Sequence, residues 1–397
     1  MKFFDGTKKR RTALLLVLMA TLIGLMVVMY MTTADTDGSI TVTSGTASVK
    51  DPVEPQLETK EVVSGLSRPW DIVFLPSGTM VFNQRSGSIS TFKDGQTNTI
   101  AQINDIYAVG EGGLTGLALD ADFANNRFVY TCFNAQSAAT IDVRVVRWTL
   151  SKAEDSLTDR TDIVTGIPSN KSGRHSGCRV RVAKDGSLWI ATGDAAIASN
   201  PQDPQSLGGK ILHVSSNGQP IEGNLAPPYD GRIFSYGHRN VQGLALFDRP
   251  INGVYGYSVE HGSDRDDEVN ILKSGNFGWA PRVTYEEDGI PMTDLVRYPD
   301  AISAVWSSGK PTIAPSGATL LSGKQWGIYN GALAVAVLKD KHVHIFKFDD
   351  ANKLVFEREV LGDFGRIRSA AQGPDGNLYI STDNASNDKI IKITPKS

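Results

Sequence analysis

The chain has 397 residues, 40% of them hydrophobic and 21% charged, which excludes a disordered or fibrous protein. Its net charge of −3 gives no reason to expect a nucleic-acid partner. The 39 Gly and 18 Pro argue against long helices and for many short strands and turns.

The N-terminus predicts a membrane helix. Lys2, Lys8, Lys9, Arg10 and Arg11 stand against a single acid, Asp5, and an uncharged apolar run follows from Ala13 to Met31. At ~1.5 Å per residue the run spans roughly 28 Å, close to the hydrocarbon core of a bilayer. The apolar core of a cleavable signal is shorter, about 7–15 residues. Thr32-Thr33-Ala34-Asp35 is also a poor cleavage site. Residues 1–31 therefore read as a signal anchor in preference to a signal peptide. Either form keeps the basic end in the cytoplasm and exports the rest to the periplasmic or extracytoplasmic face. Residues 32–57 are rich in Thr, Ser, Asp and Gly and read as a flexible linker. Residues 58–397 form the folded domain.

That domain reads as strand, turn, strand throughout. A turn with Gly, Asp, Asn or Ser followed by a short strand recurs at Gly78, Asn126, Gly186, Gly253, Gly317 and Gly376. The spacing is about sixty residues, enough for a four-stranded antiparallel sheet with long loops. Radial packing of six such sheets gives an all-β, six-bladed β-propeller, preceded by the N-terminal helix. Loops from all blades then meet at one end of a central channel, where distant residues can share a pocket. Cys132 and Cys178 lie in an exported chain, so a disulfide and two buried strand thiols are both open.

Several polar clusters stand out. His175 lies between glycines in the loop Lys171 to Cys178, where an imidazole can serve as a general base or simply occupy a turn. Ser235 to Gly243, SYGHRNVQG, could offer a fan of donors to a polar ligand. Glu260 to Asn270 is a carboxylate-rich loop of oxygen donors that suit calcium, without EF-hand spacing. Arg366 and Arg368, at i and i+2, would point the same way in a strand and suit carboxylates or phosphates. His342 and His344 share one strand face; the spacing could serve a metal, but surface or cross-strand packing is the expected role.

Read together, these phrases resemble the soluble sugar dehydrogenases that use pyrroloquinoline quinone (PQQ), the glucose/sorbosone dehydrogenase family. The resemblance runs over about residues 60–394. It includes LSRPWDIVFLP, GEGGLTGL, the His175 loop with DGSLWIATGD, YGHRNVQG, EHGSDRDDEVN, IAPSG and GRIRSAAQGPDGNLYISTD. The family fold is a six-bladed propeller. The resemblance implies PQQ- and calcium-dependent oxidation of an aldose at C1 to a lactone, with hydride transfer to the quinone. His175 matches the catalytic base. Arg239 matches the arginine beside the quinone oxygens, and Asn240 and Gln242 match amides on the cofactor edge. Arg366 and Arg368 match the pair on the cofactor carboxylates, Lys339 matches a cofactor lysine, and Gly262 and Ser263 match the carbonyl donors to calcium. Glu111 falls where a polar group approaches the sugar, and residues Thr284 to Glu287 could carry a second calcium. Ser263 stands where Pro is frequent, His213 where Arg is frequent, and Cys178 is unusual. The implied partners are the aldose, an electron acceptor and, through the N-terminal helix, a membrane. Two other readings compete: a calcium-dependent propeller hydrolase such as a lactonase, and a membrane-tethered sugar-binding propeller without catalysis.

Overall fold

The computed structural model describes residues 53–138 and 140–396, so the expected membrane helix lies outside the described residues. Among the described residues no helix is long and apolar enough to cross a membrane.

Six antiparallel sheets succeed one another along the chain. The first contains Pro69–Phe74, Met80–Gln84, Ser88–Lys93 and Gln96–Gln102; the second contains Leu114–Leu119, Phe128–Gln136, Ile141–Leu150 and Leu157–Ile167. The third contains Gly177–Val182, Leu188–Thr192, Lys210–Val214 and Ile233–Tyr236, with Gly275–Asn276 added in parallel. The fourth contains Val241–Ile251, Val254–Glu260, Glu268–Ile271 and Trp306–Ser307; the fifth contains Pro315–Leu320, Leu333–Val337, Val343–Phe348 and Leu354–Val360. The sixth joins Ile367–Gln372, Leu378–Thr382 and Asp388–Lys396 to the N-terminal strand Gln56–Leu66. Pairing the two ends of the domain in one sheet closes the ring, and the first strands of neighbouring sheets touch all the way round. The result is the all-β, six-bladed propeller that the repeats predict.

The apolar core lies between blades. Tyr130, Val143 and Val145 of the second blade pack on Val180, Leu188 and Leu212 of the third. Ala334, Val343 and Ile345 of the fifth pack on Ile367, Leu378 and Ile391 of the sixth. Each fully buried Val, Leu or Ile contributes roughly 1.5–3 kcal/mol, so no blade is stable without its neighbours. Cys132 and Cys178 are disulfide-bonded across the second and third blades, with Cα atoms 5.7 Å apart.

The recurring turn is the hairpin between a blade's first and second strands in five blades. Ser316-Gly317 is the exception: it lies inside the first strand of the fifth blade. A Cβ on Gly317 would sit 2.9 Å from Ser369 Cα in the next blade, so this glycine serves close strand approach. The equivalent connection is the longer segment holding the 3-10 turn Lys324–Tyr329.

Every first strand also carries a bulge just inside its start. The register shifts leave out Trp70, Thr115, Cys178, Gln242, Ser316 with Gly317, and Arg368. Such bulges re-aim side chains at the mouth of a ring. Below them a polar floor closes the channel. Asp71 is fully buried and pairs with Arg179 Nη1 at 2.9 Å and Arg181 Nη1 at 2.8 Å. It also accepts from the Leu117 amide at 3.2 Å, while Arg179 Nε donates to the Gln242 carbonyl at 2.9 Å. Burial alone would raise Asp71, but the two guanidiniums hold it below its ordinary value.

Candidate active site

Because strands alternate in direction, the starts of first strands and the ends of second strands share one end of the propeller. His175, Arg239, Asn240 and Arg366 immediately precede or lead first strands, and Glu111 comes three residues before one. Gln242 and Arg368 are bulge residues inside such strands. Gly262, Ser263 and Lys339 follow second strands. All the expected site residues therefore lie at this end.

The centre of the site is His175. Its backbone is left-handed, with φ 51°, and is held in place by two bonds: its amide donates to Glu111 Oε2 at 3.1 Å, and its carbonyl accepts from the Ala195 amide at 3.2 Å. Such a conformation costs about 1–3 kcal/mol and persists only under such constraint. The imidazole Nδ1 lies 2.8 Å from Asp194 Oδ1 and 2.8 Å from the Tyr285 hydroxyl. Asp194 further accepts from the Ala196 amide at 2.8 Å, Trp279 Nε1 at 2.9 Å and the Tyr285 hydroxyl at 2.6 Å. Burial, then the Asp194 carboxylate beside it, push the Tyr285 phenol far up, so it stays a donor. With Tyr285 donating to Asp194, the proton on the His175 ring belongs on Nδ1. The Nε2 lone pair has no partner among the described residues, which is the tautomer a base requires.

Around it, Glu111 Oε2 accepts from Asn240 Nδ2 at 2.9 Å, and Asn240 Oδ1 accepts from Gln242 Nε2 at 3.1 Å. Arg239 Nε and Nη2 donate to Glu287 at 3.0 and 2.9 Å, and Nη1 donates to the His261 carbonyl at 3.1 Å. Asp267 shapes the loop carrying Gly262 and Ser263: it accepts from the amides of Gly262 at 2.7 Å, Ile313 at 2.5 Å and Ala314 at 2.6 Å. No room exists for a side chain at Gly262, where a Cβ would fall 1.9 Å from the Arg265 carbonyl.

A cavity of about 430 Å³ adjoins this network through Glu111. Arg68, Arg85, Lys341, Arg366 and Arg368 line it, against the carboxylates Glu111 and Asp383. Arg368 lies 3.7 Å over the Trp70 ring and pairs with Asp383, which it holds below its ordinary value against the opposing effect of burial. The buried atoms Gln242 Oε1, His261 Nε2 and Arg179 Nη2 have no hydrogen-bond partner among the described residues. Five cations against two carboxylates suit a planar, polyanionic ligand.

The profile described as glucose/sorbosone dehydrogenase matches residues 66–392. The chain belongs to the glucose/sorbosone dehydrogenase family. An aldose sugar dehydrogenase of Escherichia coli is 28% identical over 346 residues, covering 84% of this chain and 91% of that one. A quinoprotein glucose dehydrogenase of Acinetobacter calcoaceticus is 26% identical over 421 residues, covering 83% and 86%. The PQQ-bound aldose sugar dehydrogenase of Streptomyces coelicolor superposes with a TM-score of 0.69 at 26% identity, covering 86% of this chain and 99% of that one.

Against the expectations the family resemblance gives, the structure brings His175, Glu111, Asn240 and Gln242 into one network, and Arg239 joins it through its carbonyl, which accepts from the Asp194 amide at 2.8 Å. Arg366 and Arg368 line one cavity but are not parallel prongs of a regular strand. The bulge between Ile367 and Ser369 breaks the alternation, leaving Arg368 buried and Arg366 half-buried. Lys339 is exposed and bonds Thr312 Oγ1 at 3.1 Å; Lys341, two residues on, lines the cavity instead. The segment Thr284 to Glu287 is drawn over the site: Tyr285 bonds Asp194, and Glu287 bridges Arg239 and Arg174. The sequence assigns no site role to Asp194 or Trp279, and gives Tyr285 and Glu287 only a place in the segment that could carry a second calcium. Asp194 ends the phrase ATGD, and its position after a second strand is the signal that could have found it.

Proposed function

We propose that the chain oxidises aldose sugars at C1 to lactones, with PQQ as cofactor and calcium as its metal. The observation that carries this reading is the His175–Asp194–Tyr285 arrangement beside a cation-lined cavity. Bound PQQ supplies a two-electron acceptor for the sugar hydride. His175 Nε2 takes the proton of the C1 hydroxyl, while Asp194 holds the ring and offsets the charge it gains. Glu111 positions His175 through its amide. Arg366, Arg368 and their cationic neighbours would hold the cofactor carboxylates, and Asn240 and Gln242 its edge. The carbonyls of Gly262 and Ser263 would hold calcium; a carbonyl donor makes the Ser in place of Pro tolerable. Arg239 would serve the quinone oxygens, a role that requires Glu287 to share or release its guanidinium.

A hydrolase would hold its metal with several carboxylate side chains. Here Asp264 pairs with Lys310 at 2.6 Å, Glu287 with Arg174 and Arg239, and Asp383 with Arg368. Those pairings favour the dehydrogenase. The proposal keeps the export and membrane anchoring read from the basic and apolar pattern of residues 1–31, so the electron acceptor would be met outside the cytoplasm.

Dye reduction with a panel of aldoses tests the reading. It should require PQQ, Ca²⁺ and sugar together. His175→Gln should lower turnover about 10²–10⁴-fold with PQQ affinity kept. Absence of PQQ binding, or full turnover in His175→Gln, would overturn it.

A further inference from the structure

The fifth blade carries a histidine pair whose surroundings exceed what packing needs. His342 and His344 are both more than nine-tenths buried, and with the exposed Glu359 they place three potential ligand atoms within 4.8 Å of one another. Register puts Glu359 directly across from His344 on the neighbouring strand. His342 Nε2 and His344 Nδ1 are buried and have no hydrogen-bond partner among the described residues. An unmet ring nitrogen in an interior costs about 1–3 kcal/mol, and here two lie side by side.

The other nitrogen of each ring is occupied. His342 Nδ1 lies 3.3 Å from the Asp340 carbonyl, and His344 Nε2 lies 3.2 Å from Glu357 Oε2. A backbone carbonyl and a carboxylate are the outer partners that metal-bound histidines use to fix tautomer and orientation. Glu357 is itself held by Trp306 Nε1 at 3.1 Å, and the His344 ring stacks on Phe346 at 4.0 Å. Glu359 Oε1 lies 4.0 Å from His342 Nε2, and its exposed side chain is free to swing in. Ligands about 2.0–2.1 Å from a tetrahedral ion lie roughly 3.4 Å apart, so small rotations close the set.

We propose that His342, His344 and Glu359 form a binding site for a zinc-class divalent ion, completed by water. Two imidazoles and one carboxylate suit zinc and its d-block neighbours; calcium takes oxygen donors and would not compete. His342 immediately precedes the blade's third strand, which carries His344, and Glu359 lies on the fourth; none of them belongs to the His175 network. The site stands whether or not the dehydrogenase reading does.

The test is titration of the untagged full chain with Zn²⁺ at saturating Ca²⁺, followed by calorimetry, and with Co²⁺, followed by its visible ligand-field bands. One ion per chain and tetrahedral cobalt bands are expected. His342→Ala should abolish binding. Should that variant fold poorly, Glu359→Gln changes only an exposed side chain and should still weaken binding, and Glu357→Gln should weaken it about 10–100-fold. Absence of Zn²⁺ binding, or binding unchanged in both His342→Ala and Glu359→Gln, would overturn the site.

Discussion

At the channel floor one carboxylate, Asp71, serves Arg179 and Arg181, and the carbonyls of Gln242, Trp70 and Leu117 take up further guanidinium donors. At the mouth, one layer above, five cations face Glu111 and Asp383. Lys341 there has no hydrogen bond or ion pair among the described residues, and the Arg366 guanidinium reaches only the Leu338 carbonyl among them, at 3.4 Å. The two layers use the same side chains. They differ in how evenly charge is met: below, both guanidiniums share Asp71 and strand carbonyls, whereas above, Arg85 takes the Gly110 and Gly112 carbonyls and Lys341 takes nothing among the described residues. Charge that the fold balances holds blades together, and charge that it leaves unmatched is available to a ligand.

The largest expected effect comes from breaking the balanced layer. Asp71→Asn strands two guanidiniums in the interior and should destabilise the domain by about 3–5 kcal/mol, read by urea denaturation. Asp71 contributes its stability above its ordinary carboxylate pKa and loses it as pH falls through the depressed folded value. The deficit of Asp71→Asn should therefore shrink in acid. A variant as stable as the parent would mean that the floor does not hold the blades.

A smaller effect should separate the two mouth arginines. The Arg366 side chain is half-buried and makes one long bond, so Arg366→Ala, which keeps the backbone bonds, should leave stability within about 0.5 kcal/mol. It should weaken PQQ by about 1.5–3 kcal/mol, the contribution of a charge-assisted contact. Arg368→Ala should weaken PQQ and also destabilise, because among the described residues it leaves buried Asp383 with only the distant Arg68 as an ion-pair partner, at 3.7 Å. Equal losses of stability in both variants would erase the distinction between matched and unmatched charge.

The propeller was legible because its turns recur and its ends pair, and the site was legible where the family phrases carry it. The layer structure was not. A bulge at Arg368 or Gln242 arises from closing a ring of strands and leaves no local mark in the sequence. Period-two alternation therefore puts Arg366 and Arg368 toward one cavity, as found, but does not show that only Arg368 is buried. Asp194 and Glu287 join their partners across 19 and 48 residues, and no spacing rule encodes such loop convergence. His342 and His344 were correctly placed on one face, but their unmet nitrogens appear only once Glu357 and Asp340 are in position.

A third arrangement sharpens the comparison from the opposite sign. Glu260 and Glu268 lie buried side by side beneath the loop of Gly262, and their partners are His238, Asn270, Thr293 and the Arg239 amide. No guanidinium or ammonium joins them among the described residues. Burial, then the neighbouring Glu260, raise Glu268 well above its ordinary 4.5. For an acid raised on folding, the unfolded chain holds fewer protons between the ordinary and the raised value, so stability falls as pH rises through that window. Glu268→Gln keeps the shape and an acceptor for Asn270 and removes the ionisation. It should match the parent below about pH 4 and be the more stable of the two at pH 7, the direction that the raised folded value sets. Thermal melts across that range decide it. A variant less stable than the parent at pH 7 would show that Glu268 is ionised in the folded protein and that an unseen cation, not its proton, balances the pair.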